Sequence, residues 1–113
     1  MITVYHNPRC GKSRDCVAFI ENSENKFEII HYLDSPLSYE ELDGLIKKLK
    51  VKPIELIRTK EAIWKEQFED RKLTRKQIIN AMVKYPILMQ RPIAVNGDKA
   101  VIARPFEKIE SII

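Results

Sequence analysis

The sequence predicts an α/β fold with a mixed four-stranded sheet, and three observations support this prediction. Short runs of β-branched and aromatic residues alternate with longer segments whose apolar residues recur at helical spacing. The first two strand-like runs are separated by a helix-length segment, which favours parallel strands joined by a right-handed crossover. The last two are separated only by the turn Asn96-Gly97-Asp98-Lys99, which predicts an antiparallel hairpin.

The amino-terminal part of the chain predicts a strand, a helix and a second strand. Residues 2–5 have the composition of a strand, and an amphipathic segment that includes residues 16–20 follows as a helix. A polar turn at residues 22–25 ends this helix, and residues 27–33 are predicted as the second strand. We therefore expect a β-α-β unit with parallel strands.

The middle of the chain is predicted to be a helical block at about residues 38–84. Two capping boxes mark the starts of helices, Ser38 with Glu41 and Thr74 with Gln77, and Pro86 ends the block. Two less regular segments are also predicted to be helical: residues 53–57 and 61–68. The apolar residues expected to face the core are Leu42, Leu45, Ile46, Leu49, Ile78, Ile79, Met82 and Val83.

The carboxyl-terminal part predicts the hairpin, with strands at residues 93–95 and 100–102, and a final helix that Pro105 opens. The apolar residues of this helix are expected to face inward: Phe106, Ile109, Ile112 and Ile113. The complete order is β-α-β, an inserted helical block, and β-β-α, which is the outline of a thioredoxin-like fold. Because no linker or repeat interrupts this order, we predict one domain over residues 1–113.

Length and composition restrict the class of protein. A chain of 113 residues with 44% hydrophobic residues can form one modest core. No apolar run approaches the roughly 20 residues that cross a bilayer, and no secretory signal is recognisable, so we expect a cytoplasmic protein without a membrane partner. The cysteines and histidines lack the spacing of a zinc site or a disulfide scaffold. The net charge of +4 suits a small oxyanion substrate, and no nucleic-acid partner is expected.

Cys10 is the strongest candidate for a catalytic residue, because it lies in the turn between the first strand and the first helix. Unpaired N–H groups and the positive end of the helix dipole stabilise an anion at such a position. Arg9, Lys12 and Arg14 add positive charge nearby. These surroundings lower a thiol pKa by about one to five units, so Cys10 is predicted to be a nucleophile rather than a core residue. Gly11 and Lys12, which follow it, are assigned to substrate binding.

Several other residues have two interpretations. His6 is either an imidazolium that lowers the pKa of the thiol or a strand-end histidine hydrogen-bonded to the backbone. Cys16 is predicted to pack in the core, with a resolving thiol as the alternative. The remaining candidates are predicted to be structural rather than part of a binding surface: His31, Trp64, Phe68 and Tyr85.

Three arginines lie at the edges of apolar segments: Arg58, Arg91 and Arg104. Arginine offers planar, bidentate donors for a tetrahedral oxyanion and keeps its charge in any site. The proline after Arg91 and after Arg104 favours an extended arginine backbone, and in a thioredoxin-like outline the Arg91–Pro92 bond is predicted to be cis. The alternative for each arginine is a surface ion pair, and sequence spacing does not show that the three converge on Cys10.

Four segments resemble the glutaredoxin-coupled arsenate reductase family: residues 4–14 (Val-Tyr-His-Asn-Pro-Arg-Cys-Gly-Lys-Ser-Arg), 55–61, 86–92 and 100–105. They occur in the order of the family and span nearly the whole chain. The resemblance implies a thioredoxin-like fold with a helical insertion. It also implies roles for individual residues, namely Cys10 as nucleophile, Arg58, Arg91 and Arg104 as oxyanion ligands, His6 near the thiolate, Ser13 as a catalytic-loop hydroxyl, and Pro92 as a cis-proline.

The resemblance implies a thiol oxidoreductase in which Cys10 attacks an arginine-bound arsenate or similar oxyanion. Such an enzyme holds no bound cofactor and uses glutathione and glutaredoxin as external reductants. The first alternative is a redox-responsive regulator of the Spx type, which binds RNA polymerase and senses oxidation through a Cys-x-x-Cys pair, but Ser13 occupies the second cysteine position here. The second alternative is a thiol oxidoreductase of the same fold with another substrate. We expect a monomer.

Overall fold

The structure is a computed structural model that describes residues 1–113. Its four strands are β1 (Ile2–His6), β2 (Phe27–His31), β3 (Ile93–Asn96) and β4 (Lys99–Ile102). Its four α-helices are α1 (Gly11–Glu21), α2 (Tyr39–Leu49), α3 (Ala62–Gln67) and α4 (Arg75–Lys84). Short 3₁₀ helices cover Pro53–Leu56, Pro86–Leu88 and Phe106–Ser111.

The chain divides into two compact units, one formed by Met1–Ser35 with Arg91–Ile113 and the other by Pro36–Gln90. The predicted helical insertion at residues 38–84 falls inside the second unit. That the two units form one domain stays a prediction.

The first unit contains the mixed four-stranded sheet that the sequence predicts, with strand order β2-β1-β3-β4. β1 is parallel to β2 and antiparallel to β3, and β3 and β4 form the antiparallel hairpin. One face of the sheet packs on α1 and the carboxyl-terminal 3₁₀ helix. The residues of this core cluster are Ile2, Val4, Cys16, Ile20, Ala94, Ala103, Ile109 and Ile112.

The second unit contains the predicted helical block, and both predicted capping boxes are present. Ser38 Oγ accepts a hydrogen bond from the Glu41 N–H at 3.2 Å, and Thr74 Oγ1 accepts one from the Gln77 N–H at 3.2 Å. Each cap satisfies backbone donors that the first turn leaves unpaired. The helices α2 and α4 pack together through their buried apolar residues, which are Leu42, Leu45, Ile46, Ile78, Ile79, Ala81 and Met82.

Three details differ from the sequence prediction. β2 ends at His31 rather than at residue 33, because a turn starts there in which the Asp34 and Ser35 N–H groups donate to the His31 carbonyl. Val83 and Ile113 are exposed rather than inward-facing. Ile113 lies beyond the last 3₁₀ helix, whose tighter winding breaks the spacing that places α-helical residues on one face.

The aromatic residues of the second unit support the structural interpretation. Trp64 is buried and stacks on Phe68, with the ring centroids 5.3 Å apart, and Phe68 contacts Tyr85 edge-on. None of the helices combines the length and the apolar character that crossing a membrane requires.

Candidate active site

The turn between β1 and α1 holds Cys10 at the amino end of the helix. Asn7 is buried and organises the turn, because its side-chain oxygen accepts a hydrogen bond from the Arg9 N–H at 3.0 Å and its carbonyl accepts one from the Cys10 N–H at 3.0 Å. Cys10 has extended backbone angles and occupies the N-cap position of α1. The thiol therefore lies beside backbone N–H groups that have no partner within the helix.

Burial, backbone hydrogen bonds and the Arg91 side chain all act on the pKa of the Cys10 thiol. Partial burial raises the pKa, whereas hydrogen bonds from the backbone N–H groups of Ser13 and Lys12 lower it. The Arg91 guanidinium lowers it further, both by a hydrogen bond and by its charge. The lowering contributions prevail, so the thiol has a pKa below its ordinary value and a larger thiolate fraction at neutral pH.

The source of the positive charge differs from the sequence prediction. The side chains of Arg9, Lys12 and Arg14 are exposed, and water screens their charge. Arg14 is turned to the Pro8 carbonyl, to which its Nη1 donates at 3.0 Å. Lys12 acts through its backbone N–H, and the charge that lowers the pKa of Cys10 comes from Arg91, which is distant in sequence.

We expect the alkylation rate of Cys10 by iodoacetamide to rise with pH through a pKa below about 8.5, the value of a free thiol. The sign follows from the lowered pKa, because the reactive thiolate then persists to lower pH than in an unperturbed cysteine. Mass spectrometry of the Cys10 peptide over a pH series measures the rate. Cys10→Ser is the control, since Cys16 is fully buried and should react only on unfolding. A Cys10 that titrates at or above the free-thiol value contradicts the prediction.

His6 is connected to the catalytic turn through Ser13. Its Nδ1 lies 3.0 Å from Ser13 Oγ, which also accepts a hydrogen bond from the Asn7 N–H at 3.1 Å. Both side chains are buried. Burial lowers the pKa of His6, and the charges of His31 and Arg14 lower it further, so the neutral form of the ring is favoured.

The environment of His6 does not favour the imidazolium interpretation, because burial and two neighbouring positive charges disfavour the charged form of the ring. The alternative, a hydrogen-bonded histidine at the end of a strand, agrees with the structure, but the partner is the Ser13 hydroxyl rather than the backbone. His31 contacts His6 edge-on, with the ring centroids 5.5 Å apart. His6 and Ser13 thus stabilise the turn through their hydrogen bond, and their catalytic role stays a prediction.

Arg91 is the predicted arginine that the structure places beside Cys10. The Arg91–Pro92 bond is cis, as predicted, and the Arg104–Pro105 bond is also cis. Arg104 Nη1 donates to the Arg91 carbonyl at 3.4 Å, so these two arginines belong to one neighbourhood of the first unit. Arg91 Nε and Nη1 are buried without a hydrogen-bond partner, and so is the hydroxyl of Tyr32.

Arg58 belongs to the second unit and has an acidic partner there. Its Nη1 donates to Glu61 Oε1 at 2.6 Å, in a half-buried ion pair. Its backbone N–H donates to the Leu88 carbonyl at 2.7 Å, which anchors the segment beside the bridge between Ile57 and Met89. The ion pair is the alternative that the sequence left open for this arginine.

Gly11 and Cys16 have clear structural settings. Gly11 is exposed, and a Cβ there would meet only the Arg14 guanidinium at ordinary van der Waals distance, so sterics do not require glycine. Cys16 is fully buried in the core, as predicted, and burial raises the pKa of its thiol to about 11. Both cysteines are free thiols, and no group of three or more His, Cys, Asp or Glu side chains is placed to hold a metal ion.

Two residues at this site were not identified from the sequence. Asn7 had a recognisable signal, because an asparagine before Pro-Arg favours a turn in which its side chain bonds the backbone two residues later. Tyr32 had none, because a tyrosine at the end of a strand is most simply a core residue, and its unpartnered hydroxyl depends on side chains distant in sequence.

Comparison with known proteins places the chain in a family. The family model described as the ArsC family matches residues 5–112. The chain is 39% identical to the arsenate reductase of Acidiphilium multivorum, over 99% of this chain and 80% of the relative. It is 35% identical to the arsenate reductase of Haemophilus influenzae, over 99% of this chain and 98% of the relative. The solved structure of an arsenate reductase from Vibrio cholerae superposes with a TM-score of 0.94 at 35% identity, covering 99% of this chain and 97% of that one. The chain belongs to the ArsC family.

Proposed function

We propose that this protein is an arsenate reductase that uses the Cys10 thiolate as its nucleophile. The observation that supports the proposal most is the setting of Cys10, whose thiol lies at a helix amino end beside the buried guanidinium of Arg91. A thiolate and an arginine side by side can bind a tetrahedral oxyanion and attack its central atom. The family membership and the arsenate reductases among its relatives support arsenate as that oxyanion.

The proposed reaction begins when the Cys10 sulfur forms a bond to As(V) and one arsenate oxygen leaves as water. A glutathione thiol then displaces a second oxygen in the same way. Attack by a glutaredoxin thiol on the glutathione sulfur breaks the As–S bond to glutathione, and the electron pair of that bond reduces arsenic to As(III). The two external thiols end as a mixed disulfide, and water releases arsenite from Cys10 and regenerates its thiol. The protein supplies the nucleophile and the charge, and the external thiols supply both electrons.

The arginines differ in how well the structure supports their proposed roles. Arg91 has a direct effect on the Cys10 thiol, and Arg104 donates to the Arg91 carbonyl. We propose Arg58 as an oxyanion ligand on the sequence resemblance alone, and its ion pair with Glu61 uses one nitrogen of the guanidinium. Gly11 and Lys12 are proposed to contact the anion through the helix amino end, where the Lys12 N–H already acts on the thiol.

The regulator alternative has no observation in its favour. Ser13 is fully buried and bonded to His6, and the relatives reported above are arsenate reductases. A cytoplasmic location belongs to the proposal, because a free thiolate and thiol reductants require a reducing compartment. A monomeric state is proposed as the sequence analysis expects it.

The proposal is tested by arsenate-dependent oxidation of NADPH in a coupled assay with glutathione, glutaredoxin and glutathione reductase. We expect turnover that requires all three coupling components. Omission of glutaredoxin alone shows whether it is the reducing partner. The KM values of the alanine variants of Arg58 and Arg104 measure how much each arginine contributes to substrate binding. Absence of arsenate-dependent oxidation with a folded protein and an active coupling system contradicts the proposal.

We expect Cys16→Ser to turn over arsenate at the wild-type rate, because the Cys16 thiol is buried and its pKa is raised to about 11. Oxidised Cys10 should be captured by glutathione instead. After treatment with hydrogen peroxide and glutathione, intact-mass analysis should show one adduct on both wild type and Cys16→Ser, mapped to Cys10 by digestion. A Cys10–Cys16 disulfide as the main product, with loss of turnover in Cys16→Ser, would identify Cys16 as a resolving thiol.

A further inference from the structure

We infer that the hydroxyl of Tyr32 is a further oxyanion-binding group, which donates a hydrogen bond to an oxygen of the anion held by Arg91. This inference rests on the proposed function, since it adds a ligand to the same site. It assigns a substrate-binding role to a residue that resembles an ordinary core tyrosine in the sequence.

The position of Tyr32 follows from the sheet. It comes directly after β2, and His31 at the end of β2 lies opposite His6 at the end of β1. Because parallel strands end at the same edge of a sheet, Tyr32 lies near the turn that carries Asn7 and Cys10. The charges of Arg91 and Cys10 shift the pKa of its phenol in opposite directions, and the side chains of Arg91 and Asn7 lower it as polar neighbours, which places the hydroxyl in their neighbourhood.

Three buried polar atoms in this neighbourhood lack a hydrogen-bond partner, namely the Tyr32 hydroxyl and the Nε and Nη1 atoms of Arg91. Tyr32 is fully buried, so bulk water does not solvate its hydroxyl. Unpartnered buried donors are rare because each loses its interaction with water and gains nothing in return. A group of three such atoms beside a nucleophile therefore indicates a position where a ligand binds.

The chemistry of the three atoms identifies the class of that ligand. Both guanidinium nitrogens are donors, and the phenol is a donor as long as it is protonated. Burial raises the pKa of Tyr32 to about 12, although the nearby Arg91 charge lowers it, so the phenol keeps its proton at neutral pH. Three donors require an acceptor that offers several oxygen atoms, which a tetrahedral oxyanion does and a cation does not.

A trapped water is the structural alternative, and it predicts a different phenotype. If a water only fills the space, removal of the Tyr32 hydroxyl changes the stability of the protein and leaves its affinity for anions unchanged. If an oxyanion binds there, removal of the hydroxyl lowers the affinity for anions. The two can be separated because Phe keeps the ring and removes only the hydroxyl.

The experiment measures how well arsenate, phosphate and sulfate protect Cys10 from iodoacetamide in wild type, Tyr32→Phe and Tyr85→Phe. Tyr85→Phe is the matched control, because its hydroxyl bonds Gln67 in an exposed position of the second unit. We expect Tyr32→Phe to need about tenfold or more anion for half-protection, the scale of a lost hydrogen bond to a charged group. Tyr85→Phe should match wild type, and thermal unfolding checks that both variants fold.

The outcomes separate this inference from the proposed function. Equal protection of wild type and Tyr32→Phe by the same anions overturns the role of Tyr32 and leaves the arsenate reductase proposal standing. Protection by phosphate or sulfate that Tyr32→Phe weakens, without reduction of arsenate by wild type, supports Tyr32 and overturns the proposed function. If no anion protects wild type, the oxyanion site itself is wrong, and both the role of Tyr32 and the proposed function are contradicted.

A second measurement covers the case in which Tyr32→Phe folds poorly. In Cys10→Ser protein labelled with 3-fluorotyrosine, phosphate should shift the ¹⁹F resonance of Tyr32 and leave that of Tyr85 in place. Tyr85→Phe and conservative variants of the other two tyrosines assign the resonances by elimination. An unshifted Tyr32 resonance at saturating phosphate overturns the inference.

Discussion

Cys10→Ser should lose arsenate turnover, falling to less than about one-thousandth of the wild-type rate in the coupled assay, which corresponds to about 4 kcal/mol or more of transition-state stabilisation. A serine hydroxyl does not ionise near neutral pH, even with the Ser13 and Lys12 N–H groups and the Arg91 charge beside it. Without a thiolate, no bond from sulfur to arsenic forms, and the external thiols have no intermediate to reduce.

The control for this variant is its ability to bind the anion. Because Arg91 and the helix amino end remain, Cys10→Ser should still bind arsenate or phosphate, as measured by calorimetry. It should also unfold at a temperature close to that of wild type, since Cys10 lies in a half-buried turn outside the core cluster. Residual turnover above a few per cent, with the substitution confirmed by mass, contradicts the assignment of Cys10 as nucleophile.

Local patterns predicted most of the fold. The capping boxes at Ser38 and Thr74 and the hairpin turn around Gly97 each depend on a few neighbouring residues, so their chemistry is readable along the chain. The parallel pairing of β1 with β2 follows from the helix-length connection between them, because parallel strands need a crossover of that kind. Errors occurred at element ends, such as β2, where a turn competes with the strand for the same backbone groups.

The electrostatics of the site were less predictable, because they depend on side chains that the fold brings together. Nearness in sequence favoured Arg9 and Arg14 as the charges on Cys10, but solvent screens both, and the effective charge belongs to Arg91. The charge state of His6 depends on its burial and on His31 in the neighbouring strand. Neither burial nor strand partners can be read at the strand end where His6 lies.

Arg91→Ala should raise the pKa of Cys10 and reduce kcat/KM for arsenate more than tenfold. The pKa rises because a hydrogen bond and a positive charge are removed from beside the thiol. The lost contact to the anion adds about 1.5–3 kcal/mol, the usual contribution of a charge-assisted hydrogen bond. The pH dependence of alkylation measures the first effect, and the coupled assay measures the second.

Arg91→Lys separates the charge of Arg91 from its geometry. A lysine keeps a positive charge near the thiol, so much of the pKa lowering should return, whereas its ammonium cannot reproduce the planar donors of a guanidinium and KM for arsenate should stay high. Arg9→Ala is the matched control, because this arginine is adjacent in sequence but exposed, and the pKa of Cys10 should not move. If Arg91→Ala leaves both the Cys10 titration and KM unchanged in a folded protein, Arg91 acts on neither thiol nor substrate. If lysine restores both, charge alone explains the role of Arg91, and the bidentate geometry contributes nothing.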